Sequence, residues 1–264
     1  MYSSTLKGYI IFDIDGVIRD VTRSYRLAIQ KTVLSYTNWE PLIEDIDLLK
    51  TEGIWNNDWD LSYELIRRYQ IKNTLNFDLP QKDKLIEQFN LFYFGERFNK
   101  NKNRFDGFIQ NEELLVNEGF FKNLTAKNYK WGFFSGAERE SANYLLVERL
   151  NLKNPQIVAM GEAFEKPNPQ GFINLIERIS KCPINSINLP LIYVGDTVAD
   201  VHTILKARDI YPKKTFFSFA VAPPHLHVID KLPFRTYYEK NLLKEGADFI
   251  LKNTFDVLEK ISEL

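Results

Sequence analysis

Short, continuous apolar runs recur along the chain at residues 9–14, 131–134, 157–160, 191–194 and 216–221, with a weaker run at 249–251. Each is strand length, and most lead into Gly, Ser, Asp or Pro. Continuous rather than alternating hydrophobicity predicts strands buried on both faces of a parallel sheet. Helical patterns lie between the runs. Phe172, Leu175, Ile176 and Ile179 fall at i, i+3, i+4 and i+7, one apolar stripe. Ala142, Leu145, Leu146 and Leu150 follow a similar spacing, and Phe255, Leu258 and Ile261 predict a last helix. Strands alternating with helices predict an α/β fold, an open parallel sheet with right-handed crossovers.

One region breaks the alternation. Between residues 22 and 108 no run reads as a buried strand, and three apolar helical faces replace it. Tyr25, Ala28, Ile29, Thr32, Val33 and Tyr36 form the first; Leu61, Leu65 and Tyr69 the second; Leu85, Phe89 and Phe92 the third. Pro41 is expected at the first position of a further helix, and residues 99–103 as an exposed connection. The expected organisation is therefore a Rossmann-like α/β core of residues 1–21 and 109–264, with a helical domain, residues 22–108, inserted after the first strand. No internal repeat or low-complexity tract interrupts it.

Composition narrows the function classes. Of 264 residues, 44% are hydrophobic and 26% charged, the balance of a globular protein with a sizeable core. The net charge of −1 and the dispersed Lys and Arg give no basic run for nucleic acid and no polybasic segment for a membrane surface. No apolar stretch approaches the ~18 residues of a membrane-spanning helix, and residues 1–5 lack the features of a signal peptide. The single cysteine, Cys182, excludes an intramolecular disulfide and leaves a Cys-based zinc site unsupported. The expectation is a soluble cytoplasmic protein acting on a small molecule, with its oligomeric state open.

Four strand ends carry the candidate chemistry. The first reads Phe12-Asp13-Ile14-Asp15-Gly16-Val17. Two carboxylates delivered by an apolar strand are costly unless partnered. At the C-terminal edge of a parallel sheet they face the crevice where such sheets bind ligands. The second ends in Ser135-Gly136-Ala137, a hydroxyl and free amides before a helix, suited to phosphate oxygens or simply to capping. The third, Glu165-Lys166-Pro167-Asn168-Pro169, holds a lysine on a proline-constrained backbone before a helix. Its ammonium would offset repulsion between the carboxylates. The fourth is Val194-Gly195-Asp196-Thr197-Val198-Ala199-Asp200, a buried strand ending in acids. Hard oxygen donors without Cys or His favour Mg²⁺.

Read in order, D-x-D-G, S-G, K-P and G-D-x-x-x-D on successive strand ends resemble the haloacid dehalogenase superfamily, over roughly residues 6–21 and 109–264. The helical insertion directly after the first motif matches the branch with a helical cap there, similar to phosphoglycolate phosphatases and β-phosphoglucomutases. The resemblance implies Asp13 as the nucleophile that takes a phosphoryl group. It implies Asp15 as general acid and base, with its backbone carbonyl on the metal. Ser135 and the amide of Gly136 would bind phosphate, Lys166 would hold nucleophile and phosphate, and Asp196 and Asp200 would complete the Mg²⁺ site begun by Asp13 and Asp15. Dehalogenases of the superfamily lack a carboxylate at the position of Asp15, so its presence points to phosphoryl transfer.

Some positions depart from the usual pattern: Val21 stands where a serine is common, and Ala207-Arg208-Asp209 replaces a frequent Ala-Gly. His225 and His227, in an unusual Ala222-Pro223-Pro224 context, are expected to shape a loop, because the further ligands of a zinc site are missing. In the insertion, Trp55, Asn56, Asn57 and Trp59 are the candidate substrate-selecting residues, or else the packing of a helix–helix loop. The expected function is Mg-dependent hydrolysis of a small phosphorylated metabolite, of phosphoglycolate or sugar-phosphate type. A β-phosphoglucomutase-type phosphomutase is the alternative enzyme. A binding protein on a retired hydrolase scaffold is the non-enzymatic one, although it should have lost one of Asp13, Asp15, Lys166 or Asp196.

Overall fold

The computed structural model describes residues 5–50, 52, 55, 57–100 and 105–264. In chain order the elements are β1 (Gly8–Phe12), β2 (Arg19–Asp20), α1 (Tyr25–Thr37), α2 (Ile43–Lys50), α3 (Asp58–Lys72), α4 (Lys82–Phe94), α5 (Glu96–Lys100) and β3 (Glu113–Leu114). There follow α6 (Glu118–Ala126), β4 (Tyr129–Phe134), α7 (Arg139–Asn143), β5 (Ile157–Val158), α8 (Gln170–Ser180), β6 (Leu191–Gly195), α9 (Val198–Ile210), β7 (Phe216–Val221), α10 (Leu232–Lys244), β8 (Phe249–Leu251) and α11 (Val257–Lys260). The described structure divides into two compact units, Met1–Asp20 with Leu114–Leu264, and Val21–Glu113.

The first unit is built on a six-stranded sheet in the order β5-β4-β1-β6-β7-β8, parallel throughout. All five residues of β1 are buried, as expected for the middle strand of a sheet covered on both faces. Its side chains alternate between two cores. Ile10 and Phe12 join Phe120, Phe121, Leu145 and Val194 on one face. Tyr9 and Ile11 join Phe172, Ile176 and Tyr193 on the other. Phe12 meets Phe120 and Phe121 edge-on, with ring centroids 5.7 and 6.0 Å apart. Each such buried aromatic or aliphatic side chain contributes about 1.5–3 kcal/mol. The crossovers leave β1 between its successor strands β4 and β6, the switch point at whose carboxyl edge open α/β sheets bind ligands.

The second unit is helical. Ala28, Ile29 and Val33 of α1 are buried, as are Leu61 and Leu65 of α3 and Leu85, Phe89 and Tyr93 of α4. Tyr25 stacks on Tyr93 at 4.3 Å, and Trp39 on Tyr69 at 4.8 Å. The buried Glu112 carboxylate accepts from Ser24 Oγ (2.7 Å) and Tyr93 Oη (3.0 Å). These bonds keep the chain up to Glu113 with the helices, past the residue 108 at which the sequence places the return to the core.

Four local expectations need correction. The run at 9–14 stops being a strand at Phe12, because the Asp13 carboxylate turns back to accept from the Ile14 amide (2.7 Å). The run at 157–160 yields a two-residue strand, since Met160 N–H donates instead to Ala137 O (3.0 Å). Pro41 precedes α2 by two residues; Leu42 N–H donates to Asp45 Oδ2 (2.8 Å) at that helix start. Residues 99 and 100 end α5, and 101–103 lie outside the described residues. No helix among the described residues is long and apolar enough to cross a membrane.

Candidate active site

Strands β4, β1 and β6 end in register, with Phe12 opposite both Phe133 and Val194. The residues that follow them, Ser135, Asp13 and Asp196, therefore emerge along one sheet edge. The Asp13 amide still donates to Val194 O (2.8 Å), which ties the end of β1 to β6. Gly16 then turns at φ +75°, and a Cβ there would lie 2.1 Å from Asp196 Oδ2. Only glycine meets both demands.

The largely buried Lys166 ammonium joins Asp13, at the end of β1, to Asp200 in α9. It donates to Asp13 Oδ2 at 2.7 Å and to Asp200 Oδ1 at 2.6 Å. Asp200 is fixed by a capping box at the start of α9: Thr197 N–H donates to Asp200 Oδ2 (2.9 Å), and Asp200 N–H to Thr197 Oγ1 (3.3 Å). Gly195 makes this closeness possible, since a Cβ on it would lie 2.2 Å from that of Asp200. Tyr193, fully buried, lies within hydrogen-bond reach of Phe134 O (2.8 Å) and Asp200 Oδ1 (3.1 Å).

Carboxylate oxygens of Asp13, Asp196 and Asp200 lie within 4.8 Å of one another, all buried. Burial raises the Asp13 pKa to about 6, with Lys166 pulling it down and Asp200 and Asp15 pushing it up. Burial and the neighbouring Asp200 and Asp13 push Asp196 well above the usual carboxylate range. For Asp200, burial is outweighed by Lys166 and by its hydrogen bonds, which hold its carboxyl low. Burial opposes the charge on Lys166, but Asp13 and Asp200 outweigh it and raise its pKa. The Asp196 carboxylate accepts no hydrogen bond from any described residue, so it is the side chain most in need of a cation. An all-oxygen donor set suits Mg²⁺, and the residues present fit such an ion.

Asp15 is partly exposed and ion-paired with the fully buried Arg19, Nε to Oδ1 2.6 Å. The buried Ser135 accepts through Oγ from Ala137 N–H (3.2 Å), and Gly136 is exposed, with open space where a Cβ would stand. His227 Nε2 lies 2.7 Å from Ala222 O; neither it nor His225 joins the acidic group.

In the helical unit, Asn57 caps α3, its side-chain oxygen accepting from the amides of Trp59 (2.9 Å) and Asp60 (3.2 Å). Trp55 Nε1 donates to Glu52 (2.8 Å). Trp59, with Tyr63, Pro80 and Leu85, lines a cavity of about 290 Å³. Asn56 lies outside the described residues.

Sequence reasoning missed Arg19, Tyr193 and Thr197 as neighbours of these acids. Thr197 was readable as an N-cap three residues before Asp200. Arg19 stood out as a charge in the apolar segment that follows Gly16, but nothing local showed its burial.

A family model described as haloacid dehalogenase-like hydrolase matches residues 8–208. Among solved structures, a candidate phosphoglycolate phosphatase from Lactobacillus delbrueckii is 18% identical, with TM-score 0.63 over 97% of this chain and 99% of that one. A candidate β-phosphoglucomutase from Thermotoga maritima is 16% identical, with TM-score 0.59 over 98% of this chain and 100% of that one. These likenesses establish the fold. A curated relative, imidazoleglycerol-phosphate dehydratase of Phytophthora nicotianae, is 26% identical over 200 residues, 73% of this chain. The chain spans only 40% of that relative's length.

Proposed function

The chain belongs to the haloacid dehalogenase-like hydrolases, and on that premise we propose that it is a Mg²⁺-dependent phosphatase acting on a small phosphate monoester. The observation that carries this reading is Lys166, bridging Asp13 and Asp200 inside a buried cluster of acids at the sheet's switch point.

In this reading Asp13 Oδ attacks phosphorus, forming an acyl phosphate as the bond to the ester oxygen breaks. Asp15 gives its proton to the departing alkoxide, then takes one from the water that attacks the same phosphorus. Inorganic phosphate leaves and the Asp13 carboxylate is restored. Lys166 keeps Asp13 aligned and faces the charge on the transferring group. Ser135 and the Gly136 amide hold phosphate oxygens. Asp13, Asp196, Asp200 and the Asp15 carbonyl would hold Mg²⁺, which when bound supplies positive charge against the phosphoryl oxygens.

The test is a panel of phosphate esters, including phosphoglycolate, hexose phosphates and an imidazole-bearing phosphate ester, assayed for phosphate release. Activity should disappear in excess EDTA and return with Mg²⁺, while Ca²⁺, with longer and looser coordination, should not support it. Hydrolysis that persists undiminished in EDTA refutes the metal requirement. A second reading, phosphomutase, is favoured by the likeness to the candidate β-phosphoglucomutase. Isomerisation of a sugar phosphate without phosphate release would establish it instead.

We further propose that selection among esters lies with Trp55, Asn56, Asn57 and Trp59 of the helical unit. Because Asn57 also caps α3, its two roles must be separated. Asn57→Ala should cost about 1 kcal/mol of stability as a lost cap. Asn57→Asp keeps the cap acceptor and removes only the amide donors. It should lower kcat/KM on the preferred ester about tenfold while sparing an aryl phosphate. Equal losses on both esters would remove Asn57 from substrate selection.

A further inference from the structure

The Asp196 carboxylate has no hydrogen-bond donor among the described residues, so its direction is set by its main chain. On its N-terminal side that main chain is Gly195, packed against Asp200. On its C-terminal side it is the peptide linking Asp196 to Thr197. The N–H of this peptide donates to Asp200 Oδ2 at 2.9 Å. Its C=O accepts from Tyr238 Oη at 2.8 Å. The peptide plane is thus held at both polar ends, once by an acid of the cluster and once by α10.

Tyr238 is well placed for this. It packs in a small cluster with Val198, Val201, Ala220, Leu242, Ala247 and Ile250. Leu242, one turn further along α10, is fully buried and anchors the helix to the sheet side. Tyr238 lies beyond 8–208, the stretch matched by the family model.

We propose that Tyr238 is a positioning residue for the cation site: its hydroxyl fixes the Asp196–Thr197 peptide and thereby aims the Asp196 carboxylate into the acidic cluster. The inference rests on the metal reading given above. It adds a requirement that the four strand-end motifs do not contain, a donor on a helix more than 40 residues downstream of Asp196. Outer partners of this kind commonly account for about 10–100-fold in metal affinity.

The test uses the full chain and Mn²⁺ as a spectroscopic probe for the site. Mn²⁺ binding is titrated by electron paramagnetic resonance for the wild type, Tyr238→Phe and Leu242→Ala, alongside thermal unfolding without metal. Phenylalanine keeps the ring and its packing and loses only the donor, so the variant should remain folded. Tyr238→Phe is expected to bind Mn²⁺ about tenfold more weakly. Leu242→Ala should unfold at lower temperature yet bind within twofold of the wild type. Wild-type affinity in Tyr238→Phe, or an equal loss in Leu242→Ala, would overturn the role of the hydroxyl and leave the metal reading standing. No Mn²⁺ binding by the wild type would remove the metal reading itself, and the inference with it.

Discussion

Asparagine in place of Asp13 is expected to lower turnover by about four orders of magnitude or more while leaving the protein folded. The amide has nearly the shape of the carboxylate but cannot attack phosphorus. Its one amide oxygen can accept from the Ile14 amide or from Lys166, but not from both, because Asp13 takes those bonds on different oxygens. Activity within tenfold of wild type would remove Asp13 as nucleophile. Stability should move the other way. Burial lifts the Asp13 pKa from 3.8 to about 6, so between those values the folded chain binds more protons than the unfolded one. Stability from this group is then present below pH 3.8 and lost as pH rises through 6. Without metal, the difference in melting temperature between Asp13→Asn and wild type should shift in the variant's favour as pH rises from 5 to 7.5. A constant difference across that range would contradict the buried, charged state of Asp13.

Lys166→Met is expected to damage both activity and stability. Methionine keeps the chain length and loses the only ammonium that contacts Asp13 and Asp200 among the described residues. Breaking such a buried pair costs about 3–5 kcal/mol, and removing a charge aimed at the phosphoryl group about 10²–10³-fold in kcat. The orphaned acids can relieve part of the stability loss by taking up protons. The deficit in melting temperature should therefore shrink as pH falls from 8 to 5. A variant with near wild-type kcat would show that Lys166 serves the fold alone.

These expectations draw on residues that were legible in the sequence to different degrees. The strands β1 and β6 announced themselves because every residue in them is buried and none is charged. The acids at their ends were legible for the same reason, as charges at the end of apolar runs. Thr197 with Asp200 follows a local spacing and was open to reading. Tyr193 and Tyr238 were not, because each is defined by a partner far away or on the backbone. Phe134 O is 59 residues from Tyr193, and Asp196 O is 42 from Tyr238. Asn57 shows the converse. Its amide suggested a ligand contact, whereas Asn57-Asp58-Trp59-Asp60 is also an N-cap followed by a first turn rich in acid.

The central position of β1 has a consequence for biosynthesis. Its first neighbour, β4, pairs through Tyr9 with Lys130, and its second through Tyr9 with Leu191. At about 5–20 residues per second, the ribosome needs on the order of ten seconds after making β1 to deliver even the first of them. Through that interval Gly8-Tyr9-Ile10-Ile11-Phe12 is an apolar segment without its ladder, the kind of sequence that pairs with other chains when left open. The helical unit, residues 21–113, is by contrast synthesised in full before β4 exists. The order of the chain therefore lets the insertion fold first, while the strand that carries Asp13 waits for its partners.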